Sequence, residues 1–541
     1  MVLSLLVACT DGKSGGGGGD SGPMADYTLR LTPVVAQNQS PFDGLDRLDL
    51  YFQPAVGDPE RVSLGAPEAE QTLPAEGLPV LADTVIDVEG YAGGKLVSWG
   101  RTAPLNATTG TVDARVYVAT TGAVGWLPPL AEGITAGILG ALGGGRFIVG
   151  GGISSPNNKK KLTKAQDSLF ILDLANPTND ADLEEGGSLP PYTDPTGGEE
   201  LITARMGATF TELTTGDHDG HWLLAGGSAK AGYDDGTTVT PDAQYYDPDS
   251  GEWAAVASGD KLTTARTEHI AMKNDQGSVV VWGGWASVPA GSVGAVNSAE
   301  IFRASDYAFV SVSTFDDVGA IDAAMAYLGE AGTLLCGGAA VGDLSGDGFA
   351  DWRSESGCHI ITLTGEVGRT DITGLPALAG LAMTTLADGT VVATGGATSP
   401  AVLDLGDTAN AERGIWTLAP GSTTWQGAGL LVLARAQHRM FALDDHRAVV
   451  FGGGPTYGPS RFPTSAYSCV EIIDITGSST MLDGCDADSD ASGLPYRMSA
   501  PMAAIDDEFG ILVVGGVTKG GATSTSGEAQ PGVALFVPSD E

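Results

Sequence analysis

Apolar and polar positions along this chain alternate in short runs, and seven of those runs end in the same way. A strand-length apolar segment closes on two glycines at 146–152, 221–227, 278–284, 333–338, 391–396, 448–454 and 511–516. Counted on the second glycine from Gly227 to Gly516, the run recurs after 57, 54, 58, 57 and 63 residues. A sustained spacing near ~50 residues marks a repeat architecture, and four-stranded propeller blades fall in that range. Each repeat is expected to hold four strands, the glycine-pair strand being the second. In the second repeat these are 208–213, 221–227, 243–247 and a strand opening at Glu252-Trp253. The third strands elsewhere are expected at 169–172, 300–302, 359–361, 402–403, 470–473 and 533–536.

The segment 24–128 lacks the glycine pair but has alternating runs at 27–31, 49–52, 84–88, 95–99 and 114–118. Period-two segments between Gly, Pro and Asp turns predict an all-β unit like a small sandwich. A second reading makes 84–128 a divergent blade, because Val116-Tyr117-Val118 and Trp126 align with Tyr245-Tyr246-Asp247 and Trp253. The fold class expected is therefore all-β: a seven-bladed propeller over 129–541 behind a β-sandwich-like domain over 24–128. The last repeat stops after its third strand at 533–537, and 125–129 is expected to supply the fourth. Such closure removes exposed sheet edges.

Charge narrows the function. The 541 residues carry 67 acidic against 27 basic side chains, a formal net charge of −40. That field repels phosphate backbones and anionic membrane surfaces, so a nucleic-acid partner is excluded. The start of the chain points to export. Met1 to Ala8 is apolar, and Leu6-Val7-Ala8-Cys9 resembles the bacterial lipobox, with Cys9 carrying the lipid. Residues 1–9 then form the signal and 10–23 a glycine-rich tether. No Lys or Arg precedes the apolar stretch, where a signal peptide expects one. The remaining four cysteines pair most simply within repeats, as Cys336 with Cys358 and Cys469 with Cys485, in a compartment where disulfides persist.

The repeated residues resemble the kelch pattern: an Arg, often a following His, an apolar–Gly–Gly, then Tyr-Asp and Trp. Arg205 precedes Gly226-Gly227, which Tyr246-Asp247 and Trp253 follow. Arg266 with His269 precedes Gly283-Gly284, Arg435 with His438 precedes Gly452-Gly453, and Arg497 precedes Gly515-Gly516. Gly337-Gly338 and Gly395-Gly396 lack the Arg. The glycines are expected to be architectural, and the arginines to bond carbonyls of adjacent blades. Lipobox, sandwich and propeller in this order resemble kelch-repeat lipoproteins of deltaproteobacteria. That resemblance implies a monomer held at the cell envelope, in the outer membrane or at the cell surface, through the lipid anchor alone.

The sharpest chemical signal is local. Asp343, Ser345, Asp347 and Asp351 place side-chain oxygens at positions 1, 3, 5 and 9 of a loop with Gly348 at 6 and the Phe349 carbonyl at 7. This spacing predicts a structural calcium site. Ser354 at position 12 rules out the full EF-hand loop. Asp486, Asp488 and Asp490 alternate without the glycine, which reads as a solvated acidic loop. Lys159-Lys160-Lys161 is the one basic cluster, and it reads as a solvated loop too. Six histidines are scattered, His218 and His221 being close enough in sequence to share a metal. No zinc-protease, nucleophile-elbow or phosphate-loop motif is present. The expected function is a binding or interaction scaffold, meeting a protein or glycan partner through loops 228–244, 285–298 and 455–467. The alternative is a carbohydrate-active enzyme using carboxylates at the ring mouth.

Overall fold

A computed structural model describes residues 4–7, 26–67, 70–73, 81–107, 109–154, 164–177, 184–188, 204–229, 239–286, 294–347, 350–368, 371–399, 401–459, 466–477, 479–482, 494, 501–520 and 527–539. Among them, regular structure is almost entirely β, with short 3-10 turns such as Gly216–His218 and Gly329–Ala331. No helix there is long and apolar enough to cross a membrane.

From residue 138 onward the chain folds into successive antiparallel meanders. The second repeat pairs Thr209–Glu212, Trp222–Ala225, Ala243–Tyr246 and Trp253–Ala255 in sequence order. Seven sheets of three or four strands follow this plan among the described residues. Their first strands are Ile138–Gly143, Thr209–Glu212, Ile270–Lys273, Ala324–Tyr327, Ala379–Thr385, Arg439–Ala442 and Met502–Asp506. Each packs against the next, and Met502–Asp506 packs back against Ile138–Gly143. The chain is a β-propeller. Its glycine-pair strands are buried at every position in the second, third and fourth sheets, as a strand packed on both faces requires.

The ring closes with a strand borrowed from before residue 129. Ala123–Leu127 pairs antiparallel with Val533–Val537 and forms the outer strand of the last sheet. Leu81–Ala92, Lys95–Arg101 and Thr109–Thr120 belong instead to a nine-stranded N-terminal sheet. They do not form an extra blade. That sheet's core, including Leu29, Leu50, Phe52, Ile86 and Val118, lies on one face. It also holds the closing strand: Asn38 Nδ2 donates to the Val124 carbonyl at 2.9 Å, and Trp126 N donates to Asn38 Oδ1 at 2.7 Å. Ser4–Val7, at the expected signal, pairs with Asp26–Val35 and with Glu70–Leu73.

One strand assignment is corrected. In the fifth repeat the third strand is Gly414–Leu418, not 402–403. Leu403–Asp404 leaves the blade and pairs with Asp351–Ser354 of the fourth repeat.

Candidate functional sites at the two ends of the ring

The glycine pairs explain how neighbouring blades meet. Every glycine of the seven pairs has a positive φ. In six of the seven pairs the second glycine donates its N–H to a carbonyl in the following repeat: Gly152 to Arg205, Gly227 to Arg266, Gly284 to Ala320, Gly338 to Leu378, Gly396 to Arg435 and Gly516 to Ile134, at 2.6 to 2.9 Å. A Cβ on the first glycine would overlap that same oxygen, at 2.5 Å for Gly226 and 2.6 Å for Gly337. Two residues beyond each acceptor the backbone is left-handed, at Ala136, Gly207, Glu268, Asp322, Gly380 and Gln437. Adjacent members of this series are joined by backbone hydrogen bonds, as from Glu268 N to the Gly207 carbonyl and from Gln437 N to the Gly380 carbonyl.

The arginines act differently from the expectation. Arg266 Nη1 bonds the carbonyls of Gly283 and Ser298 at 3.1 and 3.0 Å, and Arg435 Nη1 bonds that of Gly452 at 2.8 Å, all within the arginine's own repeat. It is the backbone carbonyl of each arginine that reaches the neighbouring blade. Both guanidiniums are fully buried and paired with carboxylates, Arg266 with Glu300 at 2.5 Å and Arg435 with Glu471 at 2.9 Å. These glutamates escaped sequence reasoning, although each is the one charge within the expected third strands 300–302 and 470–473. The partner position differs among the other repeats. It holds Gln244 in the second repeat, His359 opposite Leu335 in the fourth, and Phe170 and Trp416 in the first and fifth, where Ile134 and Leu378 replace the arginine.

His269 and His438 occupy equivalent buried places. Their Nε2 atoms meet Thr209 Oγ1 and Thr394 Oγ1 at 2.9 and 2.8 Å. Burial, with Arg266 adding to it, pushes His269 down to about 3; burial and the nearby Arg435 and Arg439 push His438 well below the usual imidazole range. Both stay neutral in the fold while the unfolded chain protonates them below its ordinary value of about 6.5. Stability from this source is present above about pH 6.5 and is lost as pH falls below it, for His269 down toward 3 and on the order of 2 kcal/mol by pH 5, with His438 adding a loss of the same sign. The His269→Gln/His438→Gln variant is expected to lose less melting temperature between pH 7 and pH 5 than the parent. Equal losses in both proteins would refute the assignment.

Beyond the glycine pairs the chain builds a second layer over that end of the ring. Ala339–Gly342 and Asp351–Ser354 form a hairpin, extended by Leu403–Asp404 of the next repeat, and Ala409–Asn410 pairs with Thr456–Tyr457 of the repeat after it. Trp352, fully buried, packs edge-on against Tyr457 at 5.4 Å. The expected calcium loop is the tip of this hairpin. Carboxylate oxygens of Asp343, Asp347 and Asp351 lie within 4.8 Å of one another. Ser345 N donates to Asp351 Oδ2 and Gly346 N to Asp343 Oδ1, both at 2.8 Å. Gly348 and Phe349 lie outside the described residues. Beneath the layer, Gln437 Nε2 donates to Asp322 Oδ2 at 3.2 Å. Burial raises the Asp322 carboxyl, against the hydrogen bonds from Gln437 and Tyr457.

At the opposite end, the first strands of the third to sixth sheets converge on a cavity of about 800 Å³. Its walls include Met272, Met383, Met440, Leu386 and Phe441, with Tyr327 and Asp388 among the polar lining. No linear motif marks it, because the lining comes from turns of several repeats.

The remaining expectations fall as follows. Cys336 and Cys358 are cross-strand partners joined by a disulfide. Cys469 is disulfide-bonded, while Cys485 lies outside the described residues. So do Cys9, the tether 10–23, Lys159–Lys161, Asp486–Asp490, Arg497 and the central parts of the three ligand loops. His218 stacks on Tyr245 at 3.9 Å and meets His221 edge-on at 5.2 Å, an aromatic cluster that, among the described residues, gathers no third ligand within 4.8 Å of the pair. Asp444, Asp445 and His446 gather at the surface, which the sequence reading did not single out.

No known protein family and no curated protein matches the sequence. Among solved structures, the one titled "Structure of YjhT" aligns over 66% of this chain and 99% of its own at 14% identity, with a TM-score of 0.41.

Proposed function

We propose that this chain is an envelope-anchored scaffold whose glycine-pair end binds a protein or glycan partner, with calcium stiffening the 343–351 hairpin. The observation that carries the reading is the second layer, whose strands pair from the fourth repeat to the fifth and from the fifth to the sixth. Loops tied across blades present one continuous surface on a rigid ring, the arrangement that favours recognition. The three carboxylates within 4.8 Å fit opposed oxygen ligands of a calcium ion, whose bonds run about 2.4 Å. Cys9 would carry the lipid, and 10–23 would let the ring stand off the membrane.

A second reading is an enzyme acting on carbohydrate, and Asp322 favours it: a carboxyl beneath the second layer with its proton affinity raised by burial. One experiment separates the two. Residues 24–541 are applied to a glycan array in calcium and in EDTA, beside Asp347→Ala, with released sugar assayed. Binding that survives washing, weakens in EDTA and weakens in Asp347→Ala supports the calcium-stiffened scaffold. Released sugar, abolished by Asp322→Asn, would replace it with the enzyme. Asp347→Ala is also expected to melt lower than the parent in calcium but not in EDTA; equal losses in both buffers would remove the metal.

A further inference from the structure

We propose that the cavity at the end of the ring opposite the glycine pairs binds an organic cation with an apolar body. Its volume of about 800 Å³ lies within the usual span of small-molecule pockets. Met272, Met383 and Met440 give the wall soft thioethers that adapt to an irregular apolar shape. The rings of Tyr327 and Phe441 add surfaces that attract a cation.

Charge fixes the sign of the ligand. Among the described residues the lining contains no Lys, Arg or His, so an anion finds no charged partner among them. Asp388 lies in the lining, and exposed Glu330 sits between the lining residues Gly329 and Ala331. The Asp388 carboxylate is held in place by Thr390, whose N–H and hydroxyl donate to it at 2.8 and 2.9 Å. The chain's net charge of −40 adds a field that concentrates cations and repels anions.

The test titrates the full chain with two fluorescent probes, cationic rhodamine 6G and anionic anilinonaphthalene sulfonate. About 0.5 M salt suppresses binding to the acidic surface at large, since screening then acts within a few ångströms. The expected result is saturable, one-to-one binding of rhodamine 6G and at least roughly tenfold weaker binding of the anion. Ala331→Trp, at an exposed rim position, should weaken rhodamine binding about tenfold or more, and Asp388→Asn about threefold. Asp347→Ala, at the other end of the ring, should leave it unchanged, so failure of the scaffold reading and failure of this one are distinguishable. Absence of saturable rhodamine binding, equal affinity for the anion, or indifference to both rim variants would overturn the proposal.

Discussion

Replacing Gly283 with alanine is expected to cost more than about 3 kcal/mol of folding stability, the size reserved for a named defect in a packed interior. The new Cβ would overlap the carbonyl oxygen of Ala320, and that oxygen is the one accepting the Gly284 N–H at 2.8 Å. Relief requires the fourth blade to move away from the third, and a closed ring leaves no direction in which it can. The left-handed backbone, φ +72°, adds about 1 to 2 kcal/mol for any residue with a Cβ. A control isolates that part. Gly251 has the same φ of +72° with nothing within 4 Å of its Cβ position, so Gly251→Ala should cost only the dihedral term. Chemical denaturation of both variants measures the difference. Stabilities within about 1 kcal/mol of each other would show that the dihedral, and not the neighbouring carbonyl, keeps glycine at 283.

The same contact explains why the repeat was legible and its partner was not. Two glycines after an apolar run are required by left-handed backbone and by an oxygen where a Cβ would sit, so they recur in every repeat. The oxygen is a backbone atom. Arg205, Arg266, Ala320, Leu378, Arg435 and Ile134 supply it equally well, and no residue type betrays the position. The arginines were visible for a separate reason, their pairing with Glu300 and Glu471 inside the blade. A charge inside the third strand, Glu300 in the repeat of Arg266 and Glu471 in that of Arg435, was the available clue. The fifth repeat misled because the segment between its glycine strand and third strand carries short strands that pair with other repeats. Trp416, at the position of Glu471, marked the true strand. The metal-loop spacing is local and could be read directly. The apolar cavity could not, since it exists only after four repeats are brought around a common axis.

Arg435→Met is expected to destabilise the protein by about 3 to 5 kcal/mol near pH 8, and Arg435→Met/Glu471→Gln to recover roughly 2 kcal/mol of that. Arg435 and Glu471 are both fully buried, and the pair is 2.9 Å apart. Removing the guanidinium strands a carboxylate in the core, where it must stay charged at high cost or take up a proton. Burial already raises the Glu471 carboxyl, with Arg435 and the N–H of Val432, 2.5 Å away, holding it down. Without Arg435 that carboxyl rises further, so the folded variant binds a proton that the unfolded chain has released above the ordinary glutamate range. The unfolded state then holds fewer protons than the native one, and stability falls as pH rises. The single variant should therefore lose stability from about pH 5 upward, while the double variant, with no acid at 471, should lack that slope. Glutamine keeps an oxygen for the Val432 N–H and offers its own N–H groups to the carbonyls that Arg435 leaves. The second repeat carries Gln244 at this very position. Denaturant midpoints at pH 5 and pH 8 measure both effects. Single and double variants with the same stability and the same pH slope would show that the ion pair contributes neither specificity nor a buried-charge penalty, and that packing alone holds the sixth blade.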